Sequence, residues 1–344
     1  MIPDTRFDAL SAWLERVLPV PKVSIAPASV DASFRRYFRI ALAREIVLPG
    51  RSEGASTLIA MDAPPPHENC RPYVAVARLL SEAGVHAPVV LAEDLTHGFL
   101  LVSDLGTRTY LAELSEATAS ALYRDATSAL LAWQLASRES VLPRYDEPLL
   151  MRELGLFPDW YVGRHLGITL TDAQRTVLGA AFRRVLANNL AQPCVYVHRD
   201  YHSRNLMLCT PNPGVLDFQD AVYGPITYDL VSLLRDAYIA WDEERQLDWA
   251  VRYWERARDA GLPVADDFAR FWLDFEWMGV QRQLKVLGIF ARLYHRDGKD
   301  GYLADMPRVM AYLRGACARY RELTPLARLL DQLEARAPVV GYTF

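Results

Sequence analysis

Val195-Tyr196-Val197-His198-Arg199-Asp200-Tyr201-His202-Ser203-Arg204-Asn205-Leu206-Met207-Leu208-Cys209, followed after a proline-rich turn by Val215-Leu216-Asp217-Phe218-Gln219-Asp220, is the stretch on which the fold is decided. Apolar triplets flank a polar octet, so the octet from His198 to Asn205 reads as a loop held between strands. The turn from Thr210 to Gly214 reverses the chain. A hairpin centred near position 211 sets Asn205 opposite Asp217, where cross-strand partners share a face with Cβ atoms ~5 Å apart. An amide oxygen and a carboxylate on one face suit a hard cation such as Mg²⁺, which takes few protein ligands and leaves room for phosphates. Asp200, five residues before Asn205, is a carboxylate the metal does not need. It is free to orient a hydroxyl and take its proton. Metal clamp and nucleophile orienter together describe a phosphoryl-transfer site.

Composition agrees with a folded, water-borne chain. There are 344 residues, 51% apolar and 23% charged, with a net charge of −4. That length predicts two domains, and the charge balance argues against a nucleic-acid partner. The four cysteines are scattered without a CxxC pair. This argues against a disulfide scaffold and a structural zinc site and fits a reducing cytosol. No apolar run approaches the ~18 residues that mark a membrane-spanning helix. The first residues lack the basic-then-apolar layout of a secretory signal. The expectation is a cytoplasmic protein with no membrane partner.

Outside the central stretch the chain has two textures. An amphipathic opening helix carries Phe7, Leu10, Trp13, Leu14 and Val17 on one face. Strand-like segments follow, Phe34 to Ile40 and Thr57 to Met61, with a hairpin loop from Glu45 to Ser56 between them. A helix over 71–83 closed by Gly84 precedes two short strands, 88–92 and 99–102. From Tyr110 onward helical spacing dominates, near 116–136, 147–164, 172–189, 226–238, 243–260, 266–294, 302–316 and 318–335. Only 194–217 interrupts it. The expected fold is α+β and bilobal: a small antiparallel sheet with one helix over residues 1–104, and a larger helical lobe over 105–344.

His198-Arg199-Asp200, four residues, then Asn205 matches the protein-kinase catalytic-loop pattern, and Asp217-Phe218 stands where that group has its metal-binding Asp-Phe. The continuation, with Gly224-Pro225 and Asp229-Leu230, resembles the aminoglycoside/choline phosphotransferase superfamily. Within it the chain most resembles bacterial kinases that phosphorylate N-acetylmuramate and N-acetylglucosamine at C1 in peptidoglycan recycling. The supporting segments are Ser33 to Arg39, Met61 to Pro65, Val102 to Gly106 and Arg282 to Gly288. The resemblance spans roughly residues 5 to 335. It implies a kinase-like fold, ATP and Mg²⁺ as cofactors, Asp200 as catalytic base, and Asn205 and Asp217 as metal ligands. A monomer acting on a small amino sugar is expected.

The sequence departs from the kinase pattern in its first lobe. Ala32 to Tyr37, where a glycine-rich loop belongs, has no glycine. The strand Leu58 to Asp62 has no lysine, and the helix from Arg71 to Leu80 has no glutamate to pair with one. Arg35, Arg36 and Arg39 are the substitute phosphate-binding cations. In a strand, Arg35 and Arg39 share a face and Arg36 takes the other. Asp104 completes the candidate nucleotide contacts. His198 is expected to donate a hydrogen bond that holds the loop. Asp229 is expected to anchor Arg199 or the loop backbone. For the sugar, Glu153, Trp160, Tyr161, Arg282 and Lys285 are the candidates, the two cations sharing a helix face and suited to the lactyl carboxylate of a muramate. The alternatives are a kinase for another alcohol, a non-catalytic nucleotide-binding scaffold, and a metallohydrolase built on His198, Asp200 and His202.

Overall fold

The computed structural model describes residues 4–30, 34–49, 54–65 and 67–335. Ala32 and Ser33, at the expected phosphate-loop position, and residues 50–53 of the expected hairpin loop lie outside the described residues. Two compact units divide the chain. One takes the residues up to Trp133 together with Asn205–Asp220; the other takes Gln134–Arg204 and Ala221 onward.

The first unit is built on a five-stranded antiparallel sheet. Its strands are β1 (Lys22–Val30), β2 (Arg36–Val47), β3 (Gly54–Asp62), β4 (Val90–Asp94) and β5 (Phe99–Ser103), in the order β1-β2-β3-β5-β4. Alternation places Phe38, Ile40 and Leu42 of β2, Leu58 and Ala60 of β3, and Phe99 and Leu101 of β5 in one apolar cluster. Helix α1 (Thr5–Val17) adds Leu10, Trp13 and Leu14 to it. Helix α2 (Arg71–Glu82) follows β3, and Gly84 beyond it takes φ 73°, the left-handed backbone that favours glycine at a helix end. Strands β2 and β3 run further into the connecting segment than the Glu45–Ser56 loop expected from Pro49, Gly50 and Gly54, because Ile46 and Val47 pair with Ala55 and Gly54 beyond a register shift. Phe34 precedes β2 and is exposed. Helices α3 (Tyr110–Glu113) and α4 (Ala119–Leu135) follow the sheet.

Residues 205–220 belong to this unit through specific contacts. The Val215 N–H donates to the His86 carbonyl (2.7 Å), the Leu208 N–H to the Arg108 carbonyl (2.8 Å), and the Asn212 amide to Asp125 (2.8 Å).

The second unit is mostly helical. It contains α5 (Glu147–Leu154), a π-helical segment (Phe157–His165), α6 (Asp172–Leu190), α7 (Tyr228–Leu234), α8 (Glu243–Asp259), α9 (Phe268–Asp297), α10 (Met306–Arg319) and α11 (Thr324–Leu333). Two strands, β6 (Cys194–Val197) and β9 (Val222–Pro225), pair antiparallel in this unit, while β7 (Leu206–Met207) and β8 (Gly214–Val215) pair in the first. Helix α9 is buried on all sides over residues 274–288, as a central helix must be, and contacts α6, α7, α10 and the π-helical segment. Gly288 allows one of these approaches: a Cβ there would sit 2.4 Å from the Leu156 carbonyl carbon. The expected single helix over 147–164 divides at Gly155, and β9 is an element that the 194–217 reading omitted.

Candidate active site

In the first unit the candidate metal ligands sit at the base of the β7–β8 hairpin. Its register pairs Leu206 with Val215 and Met207 with Gly214, and the Leu216 N–H donates to the Asn205 carbonyl (2.9 Å). Asn205 therefore faces Leu216, one residue short of the Asp217 expected from a hairpin centred on 211. Continued alternation would send the Asp217 side chain to the opposite face. Asp217 instead takes φ 61°, left-handed backbone that Asp tolerates better than most residues. The two side chains meet after all, Asn205 Nδ2 lying 3.4 Å from Asp217 Oδ2. Gln219 Nε2 donates to the other carboxylate oxygen (2.8 Å). Phe218 is fully buried with its ring 4.7 Å from that of Tyr73. An amide and a carboxylate are hard oxygen donors, so this pair fits a divalent cation of the Mg²⁺ type.

The three arginines behave differently from one another. Arg36 donates to Asp62 (2.6 and 3.0 Å) and reaches Asp4. Arg39 donates to Asp104 (2.6 and 3.1 Å) and to the Gly106 carbonyl (2.9 Å). Arg35 lies just before β2 and donates through Nε and Nη2 to Glu68 Oε2 (3.0 and 2.9 Å), both side chains largely buried. Burial works against the Arg35 charge, and Tyr37, Glu68 and Asp217 outweigh it, holding the guanidinium above its ordinary pKa. Arg35 is the arginine on which Asp217 acts. Glu68 had no sequence signal, since the partner acid stands in the turn before α2 rather than in the helix. A cavity of about 580 Å³ in this unit, lined in part by Arg78, His86, Glu93 and Pro211, carries none of the candidate site residues.

In the second unit the loop after β6 is gripped from beneath. Asp229, in the first turn of α7 and fully buried, accepts the N–H groups of His198 (2.6 Å) and Arg199 (3.0 Å). Burial pushes its carboxyl up to about 7, against those two hydrogen bonds. The His198 ring accepts the Asp200 N–H at Nδ1 (3.3 Å), a contact within the loop that leaves the Nε2–H as the ring's donor. Arg199 takes φ 78°, a left-handed backbone that costs a non-glycine residue roughly 1–3 kcal/mol and persists only where surroundings enforce it. Those surroundings are Asp229 on its N–H, Glu153 on its guanidinium (2.5 Å) and the Tyr145 ring beneath it.

Glu153 and Lys285 are thereby placed differently from an open sugar-binding face. Both are buried, their charged atoms 3.1 Å apart. Glu153 also accepts from Tyr145 and from Gln281 (3.1 Å), and Lys285 donates to the Tyr228 hydroxyl (2.9 Å). Burial drives the Glu153 carboxyl upward, but Lys285 and Arg199 hold it below the usual range. Asp200 follows the same pattern: burial raises it, and Lys285, His202, Arg199 and His198 bring it below an ordinary carboxylate. Tyr161 is buried, stacked on Phe157 (5.2 Å), with its hydroxyl on Glu334 (3.1 Å). Trp160 is half-buried beside it in the π-helical segment. Arg282 is buried on the same face of α9 as Lys285, but its Nη1 has no hydrogen-bond partner among the described residues.

Residues 24–270 match the family model described as the phosphotransferase enzyme family. The chain belongs to that phosphotransferase family. Its fold is shared with a choline kinase from Streptococcus pneumoniae, at a TM-score of 0.64 and 12% identity over 92% of this chain and 100% of that one. An ADP-bound aminoglycoside phosphotransferase gives 0.57 at 15% identity, over 89% and 96% of the two chains. Two relatives are much nearer in sequence. The N-acetylmuramate/N-acetylglucosamine kinase of Pseudomonas putida is 48% identical over 97% of this chain and 98% of its own. The protein of the same name from Neisseria meningitidis is 49% identical over the same shares.

Proposed function

We propose that this protein is an ATP-dependent kinase of N-acetylmuramate and N-acetylglucosamine that phosphorylates the anomeric hydroxyl, as salvage of cell-wall sugars requires. The reading rests on the identity to relatives of that name and on one structural observation. An ionised Asp200 stands on a braced loop five residues ahead of an Asn205–Asp217 pair. Residues 1–104 are assigned to the nucleotide, with Arg35 as the leading phosphate cation, and 105–344 to catalysis and the sugar.

Asn205 and Asp217 would hold Mg²⁺, which neutralises triphosphate charge and orients the γ-phosphoryl group when bound. Asp200 accepts a hydrogen bond from the sugar hydroxyl and takes its proton as the sugar oxygen bonds to the γ-phosphorus and the bond from that phosphorus to the β-phosphate oxygen breaks, releasing ADP. A carboxylate of low pKa is a weak base. It suits an anomeric hydroxyl, which is more acidic than an ordinary alcohol. The strained Arg199, clamped by Asp229 and Glu153, fixes where that carboxylate points.

The test is a coupled ADP-release assay with both sugars, glucose and kanamycin, on the unaltered chain and on Asp200→Ala. Turnover of the two amino sugars, lost in the variant while nucleotide binding persists, is expected. Undiminished turnover in Asp200→Ala would remove that residue from its role, and turnover of kanamycin alone would remove the sugars.

A further inference from the structure

Two cations one helical turn apart on α9 have opposite surroundings. Lys285 is matched by Glu153 and Tyr228. Arg282, 3% exposed, makes no ion pair with any described residue, and its Nη1 is an orphaned donor. Asp229, on which Arg282 acts, and Asp236, which acts with Arg282 on His202, are already engaged. Asp229 accepts the His198 and Arg199 N–H groups, and Asp236 accepts those of Ser203 and Tyr238 (2.8 Å each). Leaving a buried guanidinium unpaired is costly, so such a group marks a place where an anion arrives from outside.

Other unpartnered polar atoms gather around it. His202 Nδ1, Ser203 Oγ and the Tyr312 hydroxyl are buried and without hydrogen-bond partners. Arg282 acts electrostatically on His202, Tyr238 and Tyr312. The His202 and Tyr238 rings lie 5.3 Å apart. The cluster also reaches the surface. Exposed Arg204 lies over the Tyr238 ring at 3.7 Å, with Tyr302 at 5.6 Å, and both tyrosines are only half-buried. His202 and Ser203 belong to the loop that carries Asp200. The site is thus built of a guanidinium, two hydroxyls and an imidazole nitrogen, rimmed by aromatic faces and continuous with the catalytic loop.

We infer that Arg282 is the specificity-determining residue that binds the carboxylate of an acidic sugar, with His202 and Tyr312 as neighbouring polar groups, whereas Lys285 belongs to the bracing of the catalytic loop. This rests on the sugar-kinase reading above. N-acetylmuramate differs from N-acetylglucosamine by a lactyl ether ending in a carboxylate, so Arg282 distinguishes the two acceptors.

The experiment measures kcat and KM for both sugars, and for the methyl ester of N-acetylmuramate, in the unaltered chain, Arg282→Gln and Arg282→Lys. Losing a charge-assisted hydrogen bond lowers affinity by about ten- to a hundredfold. The ratio of kcat/KM for N-acetylmuramate to that for N-acetylglucosamine is therefore expected to fall by that factor in Arg282→Gln, through KM, and to recover in part in Arg282→Lys. The ester requires no variant to fold, and in the unaltered chain its KM should exceed that of the free acid by a similar factor. An unchanged ratio, or equal KM for acid and ester, overturns the assignment of Arg282 while leaving the sugar-kinase reading intact. Turnover of neither sugar by the unaltered chain overturns that reading and this one with it.

Discussion

Substituting Glu153 by Gln keeps the side chain's shape and removes its charge, so that Arg199 and Lys285 lose the carboxylate they both pair with directly. Both partners lie within 3.1 Å of Glu153 Oε1, and all three side chains are less than one-fifth exposed. Breaking a buried pair by neutralising one member costs about 3–5 kcal/mol, a large fraction of the roughly 5–15 kcal/mol that holds a folded domain together. Glu153→Gln should therefore lose about that much at pH 7.5, measured as a lower urea midpoint with unchanged slope. The pH dependence supplies a second check. The Glu153 carboxyl is depressed in the folded chain, so its contribution is present above the unfolded value near 4.5 and lost as pH falls through the folded value. The gap between the two proteins should narrow as pH falls below 4.5. A double-mutant cycle with Lys285→Met should show coupling of about 0.5–3 kcal/mol. A loss under 1 kcal/mol at pH 7.5, or a gap that widens on acidification, would refute the buried network as described.

The remaining predictions concern the reaction and the packing. The pH profile of kcat/KM should carry no acid limb from Asp200 between pH 5 and 8, because the carboxyl is held below its ordinary value of 3.8; a limb near 6.5 removed by Asp200→Asn would contradict this. Asp217→Asn should raise the Mg²⁺ concentration needed for half-maximal rate by tenfold or more on the order of a lost charged ligand, read by magnesium titration at fixed ATP, and an unchanged requirement would exclude it as a metal ligand. Gly288→Ala should destabilise the second unit by about 1–3 kcal/mol, since its Cβ would collide with Leu156 backbone, and an unaltered melting temperature would show that the helices separate freely.

Local patterns that depend on a residue and its near neighbours were legible in the sequence. The amphipathic face of α1, the alternation of β2, the end of α2 at Gly84 and the polar loop between β6 and β7 all follow from spacing alone. The 147–164 segment was legible as helical, but not its division at Gly155 into α5 and the π-helical segment, both of which pack against α9. The hairpin illustrates how narrow the margin is. A register displaced by one residue would have separated Asn205 from Asp217, and the left-handed turn at Asp217 restores the contact. Spacing arguments assume continued alternation and cannot see such a turn.

The order of His198, Arg199, Asp200, Asn205 and Asp217 along the chain, and with it the class of chemistry, was determined by sequence alone, because that chemistry needs those groups within one short loop and hairpin. Which charge meets which was decided only by tertiary structure. Arg35 found Glu68, 33 residues away, Arg39 found Asp104, and Lys285 turned to Glu153 while Arg282 one turn earlier pairs with no carboxylate among the described residues. Charges are long-ranged and every acid is a possible partner for every base. Only the packing of helices and strands, which excludes water and fixes distances to a few ångströms, selects among the pairings.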